Sequence, residues 1–231
     1  MMIKCICFLI ISMLHKMYYY LMIPNIQIRK AILQRGRISI KKGNSINIEY
    51  SKLKKYCFKV LGNGNSISIR GCHQNLSISI SGENNEVVLV GETKTNNTNI
   101  VLIGKDCKII ISEGCSIGGG ELVCMGKGNF IHIGPNCMFS NEIELWATDS
   151  HPIYCNDKPI PINQSKPIII EEHVWVGKRS IILKGVKIGH DSIVGMGTIV
   201  TKDVPCSSLV VGNPSRIVKS GVTWSMDRIH I

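Results

Sequence analysis

Residues 170–204 read IEEHVWVGKRSIILKGVKIGHDSIVGMGTIVTKDV, and this stretch decides the fold. Within it Ile170, Val176, Ile182, Ile188, Val194 and Val200 are β-branched aliphatics spaced six residues apart. Four residues after each come Val174, Ser180, Val186, Ser192, Thr198 and Val204, all small or β-branched. A period of six fits neither the 3.6 of a helix nor the alternation of a flat strand, so it signals short strands that turn a corner before the next begins. Each aliphatic then points into a narrow core shared with the coils above and below, and the residue four on is small enough to sit inside the corner. Gly177, Gly189 and Gly195 follow their aliphatics directly, where a bend favours a residue without Cβ. An ordinary Val/Ile-rich sheet would produce six unbroken matches only by chance.

Upstream of residue 146 the period becomes irregular while the chain stays strand-like. Apolar residues alternate at Ile38 and Ile40, Ile46 and Ile48, Ile67 and Ile69, and Leu76, Ile78 and Ile80, separated by clusters such as Gly62-Asn63-Gly64-Asn65. No long amphipathic helix is legible. The expected organisation is an apolar and basic N-terminal segment over 1–23, irregular coils over 24–145, an inserted loop over 146–169, regular coils over 170–205 and a C-terminal extension over 206–231.

At 231 residues and 44% hydrophobic content, the chain is within the range of one folded unit. Its net charge of +11 is unevenly placed: residues 1–60 hold twelve Lys or Arg and one acid, Glu49, and the remainder balances. This basic segment suits an anionic membrane surface or an acidic glycan, or is simply a solvated face. No nucleic-acid-binding signature accompanies it, so nucleic acid is not expected as a partner. The apolar run Ile6 to Leu14 is too short to span a bilayer. Three readings of residues 1–23 stay open: an interfacial membrane segment, a cap of the solenoid, or sequence upstream of the true start. A cytoplasmic protein, peripheral at the inner face of the membrane, is the expected location.

The ten cysteines contain no C-x-x-C pair. Cys107, Cys115 and Cys137 each stand four residues after an aliphatic, which is the small-corner position, and a packing role is expected there in place of metal ligation. No metal is expected, and free buried thiols fit a reducing compartment.

One segment departs from the repeat. Thr148 to Pro167 holds four prolines, Asp149, His151, Tyr154 and Asp157. A long loop inserted into a repeating coil is usually functional because the scaffold does not need it. His151 is its best-placed titratable group, although a lone histidine is more often structural.

Context raises its standing. The strings Ala147-Thr148-Asp149-Ser150-His151-Pro152, Lys166-Pro167-Ile168-Ile169-Ile170, His173-Val174-Trp175-Val176-Gly177, Val200-Thr201-Lys202-Asp203-Val204-Pro205 and Gly212-Asn213-Pro214-Ser215-Arg216 together resemble the hexapeptide-repeat acyltransferases, above all the sugar and polysaccharide O-acetyltransferases of the maltose and galactoside type. The strong resemblance covers about residues 130–219. It implies an all-β, single-stranded left-handed parallel β-helix with an inserted active-site loop, assembled as a homotrimer with sites between subunits. It further implies acetyl-CoA as acyl donor, direct transfer to a sugar or polysaccharide hydroxyl, and His151 as general base. Trp175, Gly177, Gly195, Thr201, Lys202 and Arg216 are the matching candidates for holding the cofactor; Trp146, Asp149 and Tyr154 are candidates for the acceptor pocket. Asp149 or Glu144 is a candidate to orient the imidazole, and a backbone N–H to hold the oxyanion.

The pattern departs from the family at Gly118-Gly119-Gly120, where a substrate-contacting asparagine is usual, and in the extra coils over 24–130. The competing readings are a serine, sugar-N- or xenobiotic acetyltransferase of the same superfamily, and a β-helix that serves only as a binding scaffold.

Overall fold

The computed structural model describes residues 19–23, 25–157 and 159–227. All regular elements among them are strands, joined in one sheet of twenty wound into a parallel solenoid. The coil has three faces. Ile26, Ile46, Ile67, Val87, Ile109, Ile131 and Ile168 are successive partners on the first. Leu33, Leu53, His73, Thr95, Ile117, Phe139, Val176, Val194 and Val210 follow one another on the second. Phe58, Ile78, Ile100, Leu122, Leu145, Ile182 and Val200 do so on the third.

The six aliphatics of the hexad visit these faces in turn. Ile170 and Ile188 lie on the first, Val176 and Val194 on the second, Ile182 and Val200 on the third, and all six are fully buried. Each buried Val or Ile contributes roughly 1.5–3 kcal/mol relative to exposure, and ladder hydrogen bonds satisfy the backbone between coils. Val174, Ser180, Val186, Ser192 and Thr198 are buried in the corners as expected.

One expectation needs correction. The corner conformation falls three residues after each aliphatic, not one: His173, Arg179, Gly185, Asp191 and Gly197 all have φ between 54° and 80°. Gly177, Gly189 and Gly195 are small for another reason. A Cβ on Gly177 would stand 2.7 Å from the Met196 nitrogen, and one on Gly189 2.5 Å from the Cys206 nitrogen, so close approach of the next coil, and not the bend, excludes a side chain.

The N-terminal coils keep the winding with longer, less uniform turns. Their strands run through the corners as Ile26–Ile40, Ser45–Asn63 and Ser66–Glu83, with register partners 20 to 22 residues apart against 18 in the hexad region. Longer coil faces alternate in and out, which erases the period of six while keeping the winding. Their turns are held by an asparagine ladder. The Asn44 Oδ1 accepts from the Asn65 N–H at 2.9 Å and its side-chain amide at 2.8 Å, Asn65 repeats this toward Asn85, and the Asn85 Oδ1 accepts from the Cys107 N–H.

The cysteines take the packing role. Cys107, Cys115 and Cys137 are buried at corners, and their thiols donate to the carbonyls of Gly126, Gly134 and Glu171. The neighbouring Cys115 thiol, and then burial, push Cys137 upward, so it stays protonated. Among the described residues no cluster has the makings of a metal site.

At the start, Tyr19–Ile23 pairs antiparallel with the edge of Ile26–Ile40 and covers it. The apolar run Ile6 to Leu14 lies outside the described residues. No helix among the described residues is long and apolar enough to cross a membrane. At the other end, Ser208–Val211 continues the second face, Arg216–Ser220 returns antiparallel to it, and the tail folds back so that Trp224 is buried. There the Trp224 indole N–H donates to the His173 carbonyl at 2.7 Å and its ring stacks on His173 at 4.4 Å. Asp191 accepts from His173, His190 and Thr223. The His190 and His173 rings beside it lower its pKa to about 2.

Candidate active site

The inserted loop leaves the third face after the strand Ile143–Trp146 and rejoins the first at Ile168–Ile170. It is a hairpin in part, with Tyr154 bridging to Pro161 and the Ile162 N–H donating to the Ile153 carbonyl at 2.9 Å. Its base is pinned by a polar knot. The Asn163 amide donates to the Asp149 carboxylate at 2.8 Å and to the His151 carbonyl at 2.9 Å, while the Asn163 Oδ1 accepts from the Ile153 N–H at 2.7 Å. The Lys184 ammonium pairs with Asp149 and donates to the Asn163 carbonyl. Thr148 accepts from the Ser150 N–H and from Ser165.

His151 is thus held by its backbone, with its exposed ring hydrogen-bonded to none of the described residues. Its neighbour Ser150 has φ 64°, a corner that turns the chain outward before the histidine. Asp149 does not orient the imidazole. Lys184, with help from Asn163, occupies its carboxylate and holds it below the usual carboxylate range. Glu144 projects outward from the third face, next to the groove formed by Gly118, Gly119, Gly120, Asn97 and Asn141. The glycine run floors this groove, and amides from the neighbouring coils flank it.

Trp146 follows Glu144 on the same strand and is half-buried, with its indole nitrogen shielded and unpartnered. Tyr154 is exposed near the loop tip, together with Ile153, Ile160 and Ile162. Because Ile182 pairs with Val200, Lys202 lies one coil beyond Lys184, at the corner that carries the loop. Thr201 and Lys202 are both exposed there.

The remaining candidates gather elsewhere. Trp175 stands outward on the second face, 38% exposed and 6.0 Å from Trp224. Gly177 and Gly195 lie at the end of that face, one coil apart. Their N–H groups already donate to the carbonyls of Val194 and Val210 at 2.7 and 2.8 Å, and the next coil covers Gly177, so neither offers a free backbone donor. Arg216 is exposed on the strand returning along Ser208–Val211. One chain therefore sorts the candidates into two groups: His151, Trp146, Thr201 and Lys202 around the loop corner, and Trp175, Gly177, Gly195 and Arg216 on the second face. Lys184, Asn163 and the Trp224 clasp were not legible as site residues, since a lysine in a hexad and an asparagine in a proline-rich loop carry no distinctive spacing.

Comparison with known proteins bears on this arrangement. Residues 167–202 match the model described as the hexapeptide repeat of succinyl-transferase. A polysialic acid O-acetyltransferase of Neisseria meningitidis is 34% identical over 190 residues, covering 81% of this chain and 88% of that protein. The chain belongs to the hexapeptide-repeat O-acetyltransferase family. A polysialic acid O-acetyltransferase of Escherichia coli is 37% identical over 125 residues, covering 54% of this chain and only 40% of that protein. The crystal structure of the polysialic acid O-acetyltransferase OatWY superposes with a TM-score of 0.77 at 30% identity, covering 86% of this chain and 93% of the other. That of the polysialic-acid-specific acetyltransferase NeuO does so at 0.70 and 31%, covering 87% and 83%. The likeness includes the N-terminal coils, so those extra coils are a shared part of the acetyltransferase scaffold.

Proposed function

We propose that this acetyltransferase moves the acetyl group of acetyl-CoA to a hydroxyl of a carboxylated, sialic-acid-type surface polysaccharide, working as a homotrimer with His151 as general base. The observation that carries the acceptor is the similarity to the Neisseria meningitidis polysialic acid O-acetyltransferase across 88% of its length, N-terminal coils included.

A sugar hydroxyl is a weak nucleophile at neutral pH, and a neutral imidazole removes its proton as the oxygen attacks the thioester carbonyl. The exposed, unpartnered ring of His151 on a backbone-pinned loop suits that role. The thiolate of CoA leaves without needing an acid of comparable strength. The separation of the loop-corner group from the second-face group supports a site completed by a second copy, with the exposed Ile153, Tyr154, Ile160 and Ile162 reaching toward it. Trp175 and Arg216 of that copy would then border the cofactor, Arg216 by a charge-assisted contact to phosphate.

The deciding experiment incubates the protein with acetyl-CoA and either polysialic acid, a galactoside or maltose, and follows acetyl transfer by mass spectrometry while light scattering gives the assembly state. Transfer to polysialic acid by a trimer is expected. Transfer to the neutral sugars alone would overturn the acceptor, and full activity in a monomer would overturn the shared site.

A further inference from the structure

The second face carries a straight outward row along the solenoid axis. Lys52, Cys72, Lys94, Ser116, Met138 and Trp175 are successive register partners, one per coil. Lys54 and Gln74 form a parallel row beside it. With coils stacked about 4.8 Å apart, Lys94 stands about 10 Å from Lys52 and about 14 Å from Trp175 along the axis. The N-terminal part of the row is a hollow of about 460 Å³ lined by Gln34, Lys52, Lys54, Cys72, Gln74 and Lys94 and lacking any carboxylate.

Some basic residues of these coils are paired. Arg29 and Arg70 both reach Glu49 on the first face, and Lys105 and Lys108 reach Glu83 and Glu86. Lys52, Lys54 and Lys94 are exposed and have no ion-pair partner among the described residues. Three unpaired ammoniums within a few coils repel one another, and the cluster has no role in the fold: its inward neighbours Leu53, His73 and Thr95 do the packing. A concave floor with lysines spaced along one line and glutamine amides between them matches a flexible chain that repeats a carboxylate and hydroxyls. A membrane surface would instead require a flat or convex face.

We propose that this row is a docking track for the carboxylated polysaccharide acceptor, gripping sugars remote from the reacting hydroxyl and laying the polymer along the second face toward Trp175. The inference rests on the acceptor reading above and adds a second, non-catalytic contact to it. Exposed charges of one sign in a hollow raise the local concentration of an oppositely charged chain, by tenfold or more at low salt, and lose that effect as salt is added.

The test uses the full chain, its Lys52→Gln/Lys54→Gln/Lys94→Gln variant and the corresponding Lys→Arg variant, with long polysialic acid, a short sialyl oligomer and phosphatidylserine vesicles as probes. The Gln variant is expected to bind the long polymer about tenfold more weakly at low salt and with a shallower salt dependence, to keep its affinity for the short oligomer and acetyl-CoA, and to melt where the wild type melts. The Arg variant is expected to bind like the wild type. Equal polymer affinity in Gln variant and wild type, polymer binding insensitive to salt, no polymer binding by the wild type, or loss of vesicle binding alone would each overturn the track. Failure of the wild type to acetylate a polymer that it binds through these lysines would instead overturn the acceptor reading and leave the track standing.

Discussion

The Asp149 carboxylate pairs with the Lys184 ammonium across the corner between the third and first faces, and the Asn163 amide closes the knot. One residue before the loop's turn at Ser150 is thereby tied to one near its return and to the coil beneath. The contact fixes where the loop leaves the solenoid, and so where His151 stands.

Lys184→Met should therefore act on the loop more than on the fold. The Lys184 side chain is 18% exposed and the Asp149 side chain 37%, so solvent screens the pair and its loss should cost less than about 1 kcal/mol of global stability. The 153–162 hairpin, with its exposed Ile153, Tyr154, Ile160 and Ile162, should become a faster site of limited proteolysis. A hairpin cut no faster than in the wild type would remove the knot from the account of loop position.

Asp149→Asn and His151→Ala should separate by orders of magnitude. If His151 is the general base, its loss should lower turnover by about two to four orders of magnitude with acetyl-CoA KM little changed. Asp149 is engaged by Lys184, so its amide variant should lose at most about tenfold, through loop position. A loss near 10⁴-fold, the size seen when the carboxylate partner of a catalytic histidine becomes an amide, would mean that Asp149 reorients onto the imidazole during turnover. Steady-state kinetics on both variants decide between the two.

Gly177→Ala and Gly197→Ala distinguish the two reasons for glycine in the hexad region. A Cβ on Gly177 would sit 2.7 Å from the Met196 nitrogen and 2.9 Å from the Val194 carbonyl oxygen, both backbone atoms that cannot swing aside. Gly197 has φ +70° with no atom within 4 Å of the added carbon. The first substitution should cost several kcal/mol or prevent soluble expression, and the second about 1 kcal/mol from backbone strain alone. Chemical denaturation that ranks them in the opposite order would reject the stacking explanation.

How much of this was legible depends on how short each face is. In the hexad region every turn takes 18 residues and each face follows the last after the same interval, so Ile170 to Val200 spell out the winding. In the N-terminal coils the third face buries two residues, as at Phe58 and Val60, where the hexad region has only Ile182; turns take 20 to 22 residues, and the same winding leaves no fixed period. Burial of Cys107, Cys115 and Cys137 followed from their spacing, because a corner admits only small groups. The asparagine ladder from Asn44 to Asn85 did not, since Gly-Asn clusters read equally well as open turns. At the site, His151 was legible because a proline-rich insertion isolates it. The Asp149–Lys184 pair that fixes its place was not, because it joins residues 35 apart through a coil register that sequence spacing across the loop hides.

His73 makes the N-terminal coils sensitive to acid. It occupies the inward row between Leu53 and Thr95 and is 3% exposed; its Nδ1 lies 3.0 Å from the Thr95 hydroxyl and its Nε2 3.0 Å from the Arg70 carbonyl. Burial lowers its pKa from 6.5 to about 4, against a smaller upward pull from Arg70. Between these values the unfolded chain binds a proton that the folded chain refuses, so stability is full above pH 6.5 and falls as the pH drops toward about 4. At 1.36 kcal/mol per unit the loss amounts to about 3 kcal/mol. His73→Leu removes this titration but leaves the Thr95 hydroxyl and the Arg70 carbonyl without their partner, at about 1 kcal/mol each. The variant should be the less stable protein at neutral pH and the more stable one near pH 4, so that urea midpoints plotted against pH cross. Parallel curves for the two proteins would show that some other group, not His73, sets the acid limb.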